Sequence, residues 1–246
     1  MGGAWTQILI DGIVVDVFEP DNEPRAAEGS ALLFLHGHGR ITLRENAAWT
    51  AALARNSLRA VCPHGQRSWW LDRICPEFHR KFTPLGFLRN QLVSFVRERW
   101  NSGPPMIGLT GVSMGGQGAL QLAYRHAREF PVVAAVAPLV DLQDWYGQGF
   151  PLDNMFETAE EARQSGVILQ LHPLAWPRHQ LLLCDPTDDI ALTGVDRLTM
   201  KLSSSGIPHE TDLETIHGAH TWQYFNAVAD RVVDYIADRL GSVERR

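Results

Sequence analysis

A serine placed where a strand gives way to a helix constrains this chain more than any other feature. Gly111-Val112-Ser113-Met114-Gly115-Gly116 follows the apolar run Met106 to Thr110 and precedes a helical pattern from Gln117 to Arg128. In a G-x-S-x-G turn of this kind the serine is held in strained backbone geometry, and a side chain at either flanking glycine would collide with the turn. Such a turn lifts Ser113 above the carboxyl edge of a sheet as a candidate nucleophile. The Met114 amide falls at a helix N-terminus, where N–H groups have no partner within the helix, and is a candidate oxyanion donor.

A turn of this type needs an α/β framework, and the rest of the chain reads as one. Gln7 to Ile10 and Ile13 to Phe18 are predicted strands joined at Asp11-Gly12, which favours a tight hairpin. After a polar segment, Glu19 to Ser30, the wholly apolar run Ala31 to Leu35 reads as a strand buried on both faces, ending at His36-Gly37-His38-Gly39. Helices are predicted over 45–56, 85–100, 195–204 and 222–240, and strands over 58–62, 132–137, 180–185 and 209–213. Alternation of this sort implies a mostly parallel sheet with helices on both faces and an antiparallel start. The 246 residues suit one α/β domain, residues 1–246.

Two connections, 63–84 and 141–178, are too long for turns and follow strands, so they are expected to rise over the carboxyl edge as pocket walls. Trp69 and Trp70 in the first, and Trp145, Tyr146, Phe150, Phe156 and Trp176 in the second, can shelter an apolar substrate group. Thr158 to Glu161 has the spacing of a helix-capping box.

A serine hydroxyl needs an imidazole to take its proton and a carboxylate to orient that imidazole. His220, in the loop after the last strand, is the preferred imidazole because the small Gly218-Ala219 pair lets that loop approach the elbow; His217 is the alternative. Asp188 is the preferred carboxylate, since it lies far enough past the strand to curl back; Asp185 and Asp189 are the alternatives. The second oxyanion donor is expected from the His38 amide, with Gly37 permitting close approach. Trp69, Trp70, Trp145 and Gly37 are the expected pocket residues.

Composition removes several other classes. A net charge of −6 and basic residues that are scattered, with Lys81 and Lys201 the only lysines, argue against nucleic acid. His36-x-His38 with His64 and His79 lacks the further ligands typical of zinc sites, so neither metal nor cofactor is expected. Cys62, Cys75 and Cys184 are odd in number, lack C-x-x-C spacing and read as reduced. With no basic N-terminal region followed by a long apolar run, neither export nor a membrane partner is expected, and a cytoplasmic location follows. Nothing in the pattern bears on oligomeric state.

Together these features make the chain resemble an α/β-hydrolase along nearly its full length. It is most similar to the putative-esterase branch that contains esterase D, S-formylglutathione hydrolase and the antigen 85 mycolyltransferases. The local matches are Gly111-x-Ser113-Met114-Gly115-Gly116 with Gly118-Ala119, and Gly218-x-His220-x-Trp222. The resemblance implies Ser113, Asp188 and His220 as a triad, with Met114 and His38 as amide donors. Cys184-Asp185-Pro186 departs from that branch's usual glycine-containing turn at the acid loop. The expected activity is a serine carboxylesterase acting on a small or medium ester through an acyl-enzyme. The alternatives are an acyltransferase passing the acyl group to an alcohol, and a catalytically silent binding protein on the same fold.

Overall fold

The sheet is built outwards from the apolar runs, whose residues have no polar face to offer water and so pair on both sides. A computed structural model of the chain describes residues 2–21 and 29–244; the polar segment after residue 19 falls partly outside them. Eight strands lie in the order β1-β2-β4-β3-β5-β6-β7-β8. They are β1 (Gly3–Ile10), β2 (Ile13–Pro20), β3 (Ala31–Leu35), β4 (Arg59–Pro63), β5 (Ile107–Val112), β6 (Val132–Val136), β7 (His179–Leu183) and β8 (Glu210–Asp212). The β1–β2 hairpin joins antiparallel to β4, and every pair from β4 to β8 is parallel. β1 begins earlier than its apolar pattern indicates, because it pairs with β2 all the way from Gly3 opposite Pro20.

Register sets which face each residue serves. Leu33 lies between Val61 and Leu109, and Leu109 lies beside Val133, a continuous apolar layer across four strands. A side chain at Gly108 would strike Ile236, whereas one at Gly111 would strike the backbone of Gly115. Positions three apart on a strand point to opposite faces. Thus α9 (Ala229–Glu244), which also packs against α1 (Ala47–Arg55), covers one face, and α4 (Met114–Arg125) covers the other.

The helix predicted over 85–100 forms as three joined pieces: α2 (Pro84–Phe87), a π-helical turn (Leu88–Leu92) and α3 (Val93–Trp100). The closing helix divides at Val228 into α8 (Trp222–Ala227) and α9. α4 begins at Met114, three residues before the helical pattern does, because Gly115 and Gly116 have poor helix propensity yet are required by packing. An added Cβ at Gly115 would lie 1.9 Å from the Leu35 carbonyl oxygen and 2.6 Å from that of His36. The helix therefore seats directly on the end of β3.

The long connections hold more local structure than one capped helix. In 141–178, α5 (Leu152–Met155) and α6 (Ala159–Ser165) form between 3-10 turns, and α7 (Leu192–Ser204) follows β7. Thr158 caps α6 by accepting from the Glu161 N–H at 3.1 Å, but the Glu161 carboxylate reaches the N–H of Glu157 rather than that of Thr158. Arg73 ties the two excursions together: it donates to the Met155 carbonyl at 2.9 Å, pairs with Glu161 at 2.5 Å and lies over the Phe156 ring.

The contact at Gly115 predicts its own test. Gly115→Ala should destabilise the fold by about 3 kcal/mol or more, since the atoms it meets are backbone and cannot turn aside. That loss lowers Tm by roughly 6–12 °C for a chain of this size. Gly241→Ala, in α9 with nothing within 4 Å of the added carbon, should be neutral or raise stability by up to about 1 kcal/mol. Thermal unfolding of both variants checks the contrast.

Candidate active site

Ser113 sits between β5 and α4 at φ 58° and ψ −123°, a backbone conformation that costs of order 1–3 kcal/mol. The surrounding ladder enforces it. Its N–H donates to the Val136 carbonyl at 2.9 Å, and its own carbonyl accepts from Gln117 at 3.1 Å and Leu139 at 3.3 Å. Strain of this kind persists only where several fixed elements hold it, here the ends of β5 and β6 and the first turn of α4.

The Ser113 Oγ lies 2.8 Å from His220 Nε2, and His220 Nδ1 lies 2.6 Å from Asp188 Oδ2. A carboxylate only accepts, so Nδ1 carries the proton and donates it to Asp188. In the neutral ring Nε2 is then an acceptor, and the serine hydroxyl donates to it. Asp188 is fully buried, and its other oxygen, Oδ1, accepts from the N–H groups of Ile190 at 3.0 Å and Ala191 at 2.9 Å. The carboxylate is therefore fixed from behind and aimed at the imidazole.

The other acids and the other histidine stand elsewhere. Asp189 is exposed. Asp185 is buried, and its Oδ2 accepts from the backbone N–H groups of His217 at 2.6 Å and Ala219 at 3.0 Å, while Oδ1 accepts from the N–H and hydroxyl of Thr187. Burial works to raise its pKa, but these donors outweigh that and hold it down to about 2. Asp185 thus anchors the loop that carries His220. His217 contributes its backbone to that anchor and leaves its side chain exposed. Asp212, at the end of β8, fixes the start of the same loop through Glu214, Thr215 and Arg231.

A cavity of about 320 Å3 opens on Ser113 and His220. Gly37, His38, Trp69 and Trp145 border it, as does Phe150 from the second excursion. A Cβ on Gly37 would lie 3.1 Å from the Ser113 Cβ and 3.2 Å from the Val112 carbonyl oxygen, so glycine lets the turn after β3 come this close without displacing its neighbours. Trp70 is a correction to the expected pocket. It is fully buried beneath the turn after β3, donates from Nε1 to the His36 carbonyl at 3.1 Å, and fills the space left bare by Gly65 and Gly118. Of the adjacent tryptophans, Trp69 borders the cavity and Trp70 wedges the loop onto α4. Leu139, Ile190, Trp222 and Phe225 also border the cavity and were not singled out as pocket residues from the sequence. Leu139 and Ile190 lie just past the ends of β6 and β7, where ligands meet α/β sheets, a positional signal that could have found them.

The four histidines weighed as ligands are dispersed. His36 is buried under the turn, His38 packs edge-on to Phe150, His64 bonds Asp16 and His79 stacks on Phe82. Among the described residues, no group of three or more His, Cys, Asp or Glu side chains could hold a metal ion. None of the described helices is long and apolar enough to cross a membrane.

The sheet order, the antiparallel hairpin and the serine turn define an α/β-hydrolase fold. The family described as "Putative esterase" matches residues 7–231, and the chain belongs to that family; it is a hydrolase. Among solved structures it is similar to a ferulic acid esterase, with a TM-score of 0.77 at 14% identity over 98% of this chain and 100% of that one. An S-formylglutathione hydrolase from Agrobacterium tumefaciens gives 0.77 at 15% identity, covering 97% of this chain and 96% of that one. FphF, a fluorophosphonate-binding serine hydrolase of Staphylococcus aureus, gives 0.75 at 13%, covering 96% and 99%. Identities this low establish shared fold. No curated protein sequence matches the chain.

His36 supplies a pH signature. Its Nε2 accepts from the Gly65 N–H at 2.9 Å, so Nδ1 bears the proton and donates to the Gly37 carbonyl at 2.8 Å. Burial pushes its pKa from 6.5 down to about 4, although the bond to Gly37 favours the proton. Between these values the unfolded chain binds a proton that the folded one refuses, so this contribution to stability is complete above pH 6.5 and lost as pH falls towards 4. The full effect is about 3 kcal/mol. His36→Gln should flatten the fall in urea midpoint between pH 7 and pH 4.5 relative to the parent; equal slopes would refute the assignment.

Proposed function

We propose that this hydrolase is a serine carboxylesterase acting on a small or medium ester. Ser113 Oγ attacks the ester carbonyl carbon while its proton passes to His220 Nε2, and the amides of Met114 and His38 hold the oxyanion. As the carbonyl re-forms, the bond to the alcohol breaks and His220 returns the proton to the departing oxygen. Water then attacks the acyl-serine, again giving its proton to His220, and the acid leaves with Ser113 restored. Asp188 keeps the imidazole in the tautomer each step requires and stabilises the imidazolium.

The observation that carries this reading is the unbroken hydrogen-bonded line from Ser113 Oγ, at an apolar cavity, through His220 to the buried Asp188. Its roughly 320 Å3 suits a modest acyl or aryl group rather than a polymer end. A cytoplasmic setting belongs to the same proposal, consistent with Cys62, Cys75 and Cys184 being free and buried.

Ser113→Ala should lower kcat on a p-nitrophenyl ester by about six orders of magnitude, and Asp188→Asn by about four. Asp185→Asn should cost only about one to two orders, because it loosens the loop rather than misdirecting the ring. If Asp185→Asn were the more damaging and Asp188→Asn nearly silent, the acid would be wrongly assigned. A fluorophosphonate probe should label the parent and leave Ser113→Ala unlabelled; labelling that survives the substitution would remove Ser113 from the mechanism.

A further inference from the structure

The cavity above Ser113 has a second chamber of different chemistry. His38, Gly39 and Arg40 border both the aromatic cavity and an open pocket of about 470 Å3, whose remaining walls are Gln66, Arg67 and Glu77. The first chamber is walled by indole and phenyl rings, the second by charged and amide groups. A ligand occupying both would pass directly over the turn that follows β3.

The charges in the polar chamber do not cancel. Arg67 is matched by Glu77 through two hydrogen bonds, Nε at 3.1 Å and the second guanidinium nitrogen at 2.5 Å. Arg40 reaches only the neutral side-chain oxygen of Gln66, at 3.3 Å, and makes no carboxylate pair among the described residues. Arg40 also sits at φ 61°, a left-handed conformation that a residue with a β-carbon adopts only where its surroundings impose it. Arg40 closes the turn after β3, its N–H donating to the Gly37 carbonyl at 3.0 Å. The exposed Arg40 side chain borders both chambers. One residue, Gly39, separates Arg40 from His38, so their Cα atoms are no more than about 7 Å apart. His38 also borders both chambers, and its Nε2 is buried without a hydrogen-bond partner.

We propose that the polar chamber is an anion subsite and that the substrates are amphiphilic esters. An apolar group fills the aromatic cavity, and a carboxylate on the same molecule pairs with Arg40. This rests on the esterase reading for its chemistry, although binding in the subsite does not require turnover. A planar, permanently charged guanidinium suits a carboxylate, and the partly exposed setting makes the pair modest and salt-sensitive.

Two measurements test it. The first compares kcat/KM for esters matched in length but differing in charge: p-nitrophenyl butanoate against mono-p-nitrophenyl succinate for an anion on the acyl side, and phenyl butanoate against 4-carboxyphenyl butanoate for one on the leaving group. In at least one pair the anionic-to-neutral ratio should fall about fivefold in Arg40→Gln, fall less in Arg40→Lys, and rise in Glu77→Gln, which frees Arg67. It should also shrink as sodium chloride is raised. The second is calorimetry on Ser113→Ala with 4-phenylbutanoate and neutral 4-phenylbutan-1-ol. The carboxylate should bind more tightly, and the preference should drop about fivefold when Arg40→Gln is added. Ratios indifferent to Arg40 in both ester pairs, or equal binding of acid and alcohol, would overturn the subsite. Absence of all ester turnover with the calorimetric preference intact would instead count against the esterase reading alone.

Discussion

Everything at the site depends on one strained residue being held in place. Ser113 occupies a backbone conformation that a free chain would leave, and what prevents its relaxation is close packing on all sides: the Val136 carbonyl accepts from its N–H, the Leu139 and Gln117 N–H groups donate to its carbonyl, and Gly115 lets α4 sit against the end of β3. The cost is recovered in position. A serine on a relaxed strand would point into one of the two helix-covered faces, whereas at this turn it points off the edge of the sheet. The sheet's parallel order matters for the same reason, since it gathers the ends of β3, β5, β6 and β7 at that edge.

The histidine loop shows a second use of desolvation. A buried carboxylate is costly unless several donors satisfy it, so a buried aspartate organises whatever backbone lies near it. Asp212, Asp185 and Asp188 act in turn along the loop from residue 213 to residue 220: the first fixes its start, the second its middle and the third the imidazole at its end. Gly218 and Ala219 both take positive φ, at 94° and 55°, so the chain folds back sharply just before His220. The carboxylates supply the order that so short a strand as β8 cannot.

Local sequence carried much of this, and its failures have physical causes. β3 and β6 were legible almost to the residue because strands buried on both faces are uniformly apolar, and Ser113 was legible because its flanking glycines are sterically required. Strand order was not, since placing β3 between β4 and β5 is decided by long-range pairing. The start of α4 at Met114 was legible only from the serine turn, because the glycines that packing demands there are poor helix formers and delay the helical pattern to Gln117. Asp185 and Asp188 look alike in sequence; only the path of a loop some thirty residues downstream separates an anchor of backbone amides from a partner of the imidazole. Trp69 and Trp70 likewise differ only in which way each indole turns, and that is settled by the bare surfaces of Gly65 and Gly118.

The molecule divides its labour between a base held by hydrogen bonds and walls made of packed side chains. Under the turn after β3, neutral His36 holds Gly65 and Gly37, and Trp70 fills the remaining space. These contacts fix the backbone of that turn beside Ser113. The walls are made differently. Trp145 and Phe150 come from a connection with no strand of its own among the sheet's eight, and Ile41 and Ile190 stand about half exposed at its mouth. The Trp145 and Phe150 rings still meet the base, since Phe150 packs edge-on to His38 and Trp145 lies against Trp69, so the walls rest on the same turn that stands beside Ser113.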